Sequence, residues 1–147
     1  MTSLSDKDRR IFRELRANAR INLTDVADKT GIPVSTVYDR VRHNERIIVK
    51  KHTTLLDFTK LGYQARAFIA LKVEPKDHAV LMAYLNGNAN VNSLWRVNYG
   101  YTCVAEVVMP TVAHVEDFLQ LLQANFSIVE KHVFNIIDDI KREEFVP

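Results

Sequence analysis

Ser35, Thr36, Tyr38, Asp39, Arg40, Arg42 and His43 fall within nine positions of one another. The types matter. The two hydroxyls can donate or accept, the carboxylate can accept from a cytosine amino group, and the guanidinium and imidazole groups can meet phosphate. That mixture suits the base edges of double-stranded DNA and the backbone beside them. Ser35, Thr36 and Asp39 come first and suit bases. Arg42 and His43 lie a turn later and suit the backbone. Arg20, Lys50 and Lys51 are further cations placed to touch phosphate. The catalytic alternatives lack their patterns: there is no His-x-x-x-His, no glycine-rich phosphate loop and no nucleophile elbow. Cys103 lies among apolar residues and reads as packing. No catalytic set, metal site or cofactor is expected.

A helix-turn-helix would hold these residues. Leu23, Val26 and Ala27 follow at i, i+3 and i+4 on one helical face. Gly31 is a stop, because glycine takes the left-handed conformation without steric cost. Ile32 plugs the turn and Pro33 suits the start of the next helix. Val34, Val37 and Val41 give the second helix its apolar stripe, which leaves the polar set outward as a recognition helix. Taken alone, the stretch also fits an ordinary helical hairpin.

The rest of the chain favours the DNA reading. Residues 1–52 carry 12 Lys+Arg against 7 Asp+Glu, and residues 53–147 carry 8 against 11. The basic front holds a net +5 and the back a net −3, which places a polyanion at the front. With 147 residues, 47% of them hydrophobic and 26% charged, the composition is that of a soluble globular chain. Its apolar runs are too short to span a membrane, and MTSLSDKDRR turns charged where a signal peptide would be apolar. A single cysteine supports no disulfide framework, so a reducing, cytoplasmic setting is expected.

In chain order, Ser5 caps a first helix with Asp6 and Asp8 in its first turn. Leu4, Ile11, Phe12 and Leu15 form its stripe, with Arg9, Arg10, Arg13 and Arg16 outward. β-branched Ile47, Ile48, Val49, Thr53 and Thr54 predict two strands with Lys50 and Lys51 at the bend, a wing touching DNA backbone. One long strand linking the domains is the alternative. Residues 53–62 form a linker. From Tyr63 the period becomes two: Ala65, Ala67, Ile69, Leu71 and Val73 alternate with Arg66, Phe68, Ala70 and Lys72. A helix over 77–85, strands over 91–98 and 101–109, a helix capped by Thr111, and a strand over 128–137 complete a β-α-β-β-α-β order, the ferredoxin-like pattern. The expected fold class is α+β: a winged helix-turn-helix over 1–52 and a ferredoxin-like βαββαβ unit over 63–147. Apolar residues on both faces of the strands predict a sheet covered by a second copy, hence a homodimer.

This arrangement resembles the Lrp/AsnC, or feast/famine, transcription regulators. LSDKDRRIFRELRANARINLTDVADKTGIPVSTVYDRV looks like the family's opening, and TTLLDFTKLG like its link into the C-terminal domain. The resemblance implies an activator or repressor at promoter DNA. It implies a βαββαβ unit that dimerises and assembles further, up to an octamer, and that binds a small effector, commonly an amino acid, between protomers. On this chain the effector turn falls on Tyr99, Gly100, Tyr101 and Thr102. Two motifs depart. Asn44-Glu45-Arg46-Ile47-Ile48-Val49 lacks the glycine usual after the recognition helix. Gly100-Tyr101-Thr102 lacks the aspartate whose carboxylate could hold an amino group by a charge-assisted hydrogen bond. The same architecture is reused in siroheme decarboxylases, for which Trp95, Arg96, His114 and His132 are the pocket candidates here. The charged recognition helix favours the regulator.

Overall fold

The structure, a computed structural model, describes residues 4–145. Its described residues form two compact units, residues 4–55 with 140–145, and residues 56–139.

The first unit is three helices around a small core. Helix α1 spans Asp6–Ala17. It starts at Ser5, whose Oγ accepts the Asp8 amide at 3.3 Å while the Asp8 carboxylate accepts the Ser5 amide at 3.1 Å. This reciprocal capping box satisfies two amides that the first turn leaves free. Helix α2 spans Leu23–Thr30 and is capped by Asn22, whose Oδ1 accepts the Asp25 amide at 2.8 Å. It ends at Gly31, where φ is +65°. Helix α3 spans Val34–Glu45. Ile11, Val26, Ala27, Ile32 and Val37 are buried together. Val34 stands outside this core at 49% exposure, so the expected α3 stripe reduces to Val37 and half-buried Val41.

The expected two-stranded wing is absent. Among the described residues no strand precedes Ala65. Helix α3 runs on past His43, and the Ile47 and Ile48 amides both donate to the Asn44 carbonyl, at 2.9 and 2.8 Å. The backbone is therefore still turning where the first strand was expected. Ile47 and Ile48 are exposed, at 51% and 37%. β-branching alone holds no strand here, since an isolated two-stranded ribbon is marginal in water without a surface to pack on. Lys50 and Lys51 lie in exposed irregular backbone rather than at a hairpin tip.

The second unit is a four-stranded antiparallel sheet in the order β2-β3-β1-β4. Its strands are β1 (Ala65–Val73), β2 (Val91–Arg96), β3 (Cys103–Met109) and β4 (Ile128–Asn135). Helices α4 (His78–Gly87) and α5 (Val112–Asn125) connect β1 to β2 and β3 to β4. This is the ferredoxin-like order. Strands β2 and β3 are shorter than expected, because residues 97–102 form the turn between them. Thr111 stands at the start of α5 without a side-chain cap bond; its Oγ1 lies 2.8 Å from His114 Nδ1 instead.

One face of the sheet carries Ala65, Ala67, Ile69, Leu71 and Val73, packed with Leu81 and Leu85 of α4 and Val115, Phe118, Leu119 and Leu122 of α5. The alternate residues of β1 are only half-buried. Across this second face Phe68 pairs in register with Phe134 on β4 and Glu106 on β3. Trp95, at 46% exposure, sits 5.9 Å from Phe68 between ring centroids, and Phe134 is 60% exposed.

Candidate nucleic-acid interface

Helix α3 sorts its side chains by its period of 3.6 residues per turn. Val37 and Asn44 turn inward and are buried. Ser35, Tyr38, Asp39, Arg42 and His43 are exposed on the outward arc, with Thr36 half-buried at its edge. Thr36, Asp39 and His43 line a groove with Leu4, Asp8, Arg40 and Asn44, of about 460 Å³. This outward arc brings together six of the residues singled out from the sequence.

Arg40 is placed differently. Its Nη1 donates to Ser5 Oγ and to Asp8 Oδ1, each at 2.9 Å. Burial works against the Asp8 anion, but the bonds from Ser5 and Arg40 outweigh it and hold the carboxyl below its ordinary range. Asn44 Nδ2 donates to the same carboxylate at 3.0 Å. From the sequence Asp8 is only a first-turn acid, and Asn44 only the first residue of the motif that follows the recognition helix. The Ser-x-x-Asp spacing of a capping box was the visible signal; the link to α3 spans 32 and 36 residues and has none.

The remaining cations stand apart. Arg20 is exposed in the turn after α1, where its amide donates to Asn18 Oδ1 at 3.0 Å. Arg10 donates to the Thr30 carbonyl and so ties α1 to the end of α2. His52 pairs with Glu45 at 2.8 Å.

In the sheet unit the four effector-turn residues do not act alike. Tyr99 is 93% exposed with φ at +57°, and Gly100 has φ at +81°. The Tyr101 hydroxyl donates to Glu130 Oε1 at 2.7 Å; this bond raises the phenol and lowers the carboxyl. Thr102 is buried and committed: its Oγ1 accepts the Val73 amide at 3.2 Å. The enzyme candidates scatter. Trp95 and Arg96 are on β2, His132 is on β4 at the opposite edge of the sheet, and His114 is on α5. Among the described residues no group of three His, Cys, Asp or Glu side chains could hold a metal ion. No helix among them is long and apolar enough to cross a membrane.

Three helices that present a polar arc on the second helix of a helix-turn-helix, carried with a ferredoxin-like sheet unit, fit a DNA-binding regulator. Residues 4–43 match the winged helix-turn-helix DNA-binding family. The chain is 29% identical over 128 residues to the HTH-type transcriptional regulator LrpA of Mycobacterium tuberculosis, covering 86% of this chain and 85% of that protein. It shares its fold with Escherichia coli AsnC (TM-score 0.86, 19% identity, 99% and 100% of the two chains). It shares it also with the regulator NMB0573 of Neisseria meningitidis, solved as an L-Met complex (TM-score 0.85, 18% identity, 95% and 94%). The chain is thus similar over most of its length to HTH-type transcriptional regulators, and its first unit carries their winged helix-turn-helix match.

Proposed function

We propose that the chain acts as a non-catalytic homodimer or higher homo-oligomer in the cytoplasm. It reads promoter DNA through α3, and a small effector modulates it. The observation that carries the dimer is the second sheet face. Phe68, Trp95 and Phe134 form an aromatic surface there, beside half-buried Val104 and Ala70. Arg66 and Glu106 flank it 3.4 Å apart, with Arg66 also bonded to Asp139. Exposed aromatic side chains gathered on one sheet face are what an interface between copies needs. Two recognition helices related by a two-fold axis would read an inverted repeat, with half-sites about one helical turn or a multiple apart.

For DNA reading, Ser35, Thr36, Tyr38, Asp39, Arg42 and His43 are the proposed contacts, with Arg20, Lys50 and Lys51 on phosphates. For the effector, an amino acid is the first class to test, supported by the L-Met complex of the Neisseria protein. Tyr99, Gly100 and Tyr101 remain accessible for it. Thr102 supplies neither charge nor a free hydroxyl, which favours an effector whose amino group is held elsewhere or is lacking.

The deciding experiment selects duplexes from a random pool with the full chain and measures its mass by sedimentation. An inverted repeat bound by a dimer, with affinity falling steeply as salt rises, supports the reading. Phe134→Ser should shift the chain toward monomer and weaken binding to the repeat. A monomer at micromolar concentration, or an affinity indifferent to salt, overturns it.

A further inference from the structure

The Asp8 carboxylate joins two helices. One oxygen takes the Ser5 amide at 3.1 Å and the Ser5 hydroxyl at 2.5 Å. The other takes Arg40 Nη1 at 2.9 Å and Asn44 Nδ2 at 3.0 Å. Asp8 is 7% exposed and so is Asn44. Asn44 also donates to the Arg40 carbonyl at 3.0 Å. A single acid of α1 therefore grips α3 at two points one helical turn apart.

Two grips separated by about 6 Å along a helix fix more than one does. A single bond leaves the helix free to pivot about it, whereas two set both its rotation and its slide. The same groove that holds Asp8, Arg40 and Asn44 is walled by Thr36, Asp39 and His43. Gripping and reading side chains are thus neighbours on one helix. Arg40, with its side chain 35% exposed, lines the same groove, and its Nη1 is already given to α1.

We propose that Asp8 is a positioning residue for base reading. Acting through Arg40 and Asn44, it sets the angle at which α3 offers Thr36 and Asp39 to a base pair, and it holds Arg40 away from the phosphates. This rests on α3 being the reading helix. Base discrimination is sensitive to sub-ångström placement of donors and acceptors, while attraction to phosphates is not. Loss of the grip therefore costs specific binding more than non-specific binding.

The test uses the full-length chain and two probes: the duplex the wild type selects from a random pool, and a random-sequence duplex of equal length. Asp8→Asn keeps the side-chain volume and removes the charge. Arg40→Gln removes the link from the other side and leaves the capping box. Both are assayed well below their melting temperatures. In each, the ratio of selected to random-sequence affinity should fall on the order of tenfold, the scale of one misread base pair. The double variant should lose no more than the worse single, because both break one link. A merely structural role would lower both affinities together and leave the ratio intact. An unchanged ratio, additive losses, or a salt slope for Arg40→Gln shallower by about one unit with the ratio preserved would each overturn the proposal. The last outcome would mean that Arg40 touches phosphate. If Asp8→Asn does not fold, the ratio and slope of Arg40→Gln decide alone. A wild type that selects no sequence at all instead overturns the assignment of α3 as the reader.

Discussion

The Thr102 hydroxyl accepts the Val73 amide at 3.2 Å and lies 3.3 Å from His78 Nε2. The Thr102 amide in turn donates to the Leu71 carbonyl at 2.8 Å. The end of the β2–β3 turn is thus stitched to β1 from the inside, at a position only 8% exposed. Thr102→Val keeps the shape and leaves the Val73 amide without its acceptor. The expected loss is about 1–3 kcal/mol of stability, seen as a lower melting temperature. The base preference of the DNA-binding unit should not change, and a changed preference would show that the turn acts on DNA reading.

Gly31 ends α2 in the left-handed region, and a Cβ built there meets nothing within 4 Å. Any cost of substitution is therefore conformational rather than steric. Gly31→Ala should destabilise by about 1–2 kcal/mol, and Gly31→Asn by less, because asparagine tolerates this conformation. Chemical denaturation of the two variants checks the order. Equal losses would mean that the turn, not the backbone angle, sets the cost.

Gly31 marks where the sequence was readable, and Thr102, expected in an effector turn and found buried, where it was not. The Gly31 stop, the cap at Ser5, the period-two run through Ala65 to Val73 and the order of the last six elements are local signals: each depends on neighbours a few positions away. Ser35, Thr36, Tyr38, Asp39, Arg42 and His43 emerge on one arc for the same reason. The wing was misread because strand formation needs a partner surface, which residues 47–54 do not carry in their own types. Arg40 looked like one more cation on a polar helix. What separates it from Arg42 is an ion pair to Asp8, 32 positions away in the chain, and side-chain pairing over that distance leaves no periodic trace.

Cys103 sits on β3 with no exposure, and burial pushes its thiol up to about 11 from an ordinary 9.0. The thiolate is the reactive form. At pH 8 the folded chain should resist alkylation by iodoacetamide, and urea should release the reaction. The sign for stability follows from the raised value. Below about pH 9 both states keep the proton and the contribution is complete. As pH climbs from 9 toward 11 the unfolded thiol ionises first, and stability falls. Cys103→Val should remove this group's share of the decline, measurable as a flatter melting profile between pH 9 and 11. Rapid native alkylation at pH 8 would contradict the buried placement.

Asp39 and Arg42 lie three positions apart on α3, both exposed, and the described residues show no ion pair between Asp39 and either Arg42 or His43. This separates two accounts of Asp39. As a stabilising helix charge it would pair at i+3 or i+4; as a reader it would stand free to accept a cytosine amino group. The structure shows the free form. Asp39→Ala and Thr36→Ala should therefore change which sequences are preferred, by about 1–3 kcal/mol at the affected base pair. Asp39→Ala should also raise affinity for random-sequence DNA, since it removes a negative charge facing phosphates. Arg42 lies a turn beyond Asp39, toward the helix end. Arg42→Ala should weaken all duplexes alike and make the salt slope shallower by about one unit. Binding-site selection on the three variants, with salt titrations on one selected duplex, checks all of this. Sequence preferences identical to wild type in both Thr36→Ala and Asp39→Ala would remove this arc of α3 from the reading of bases.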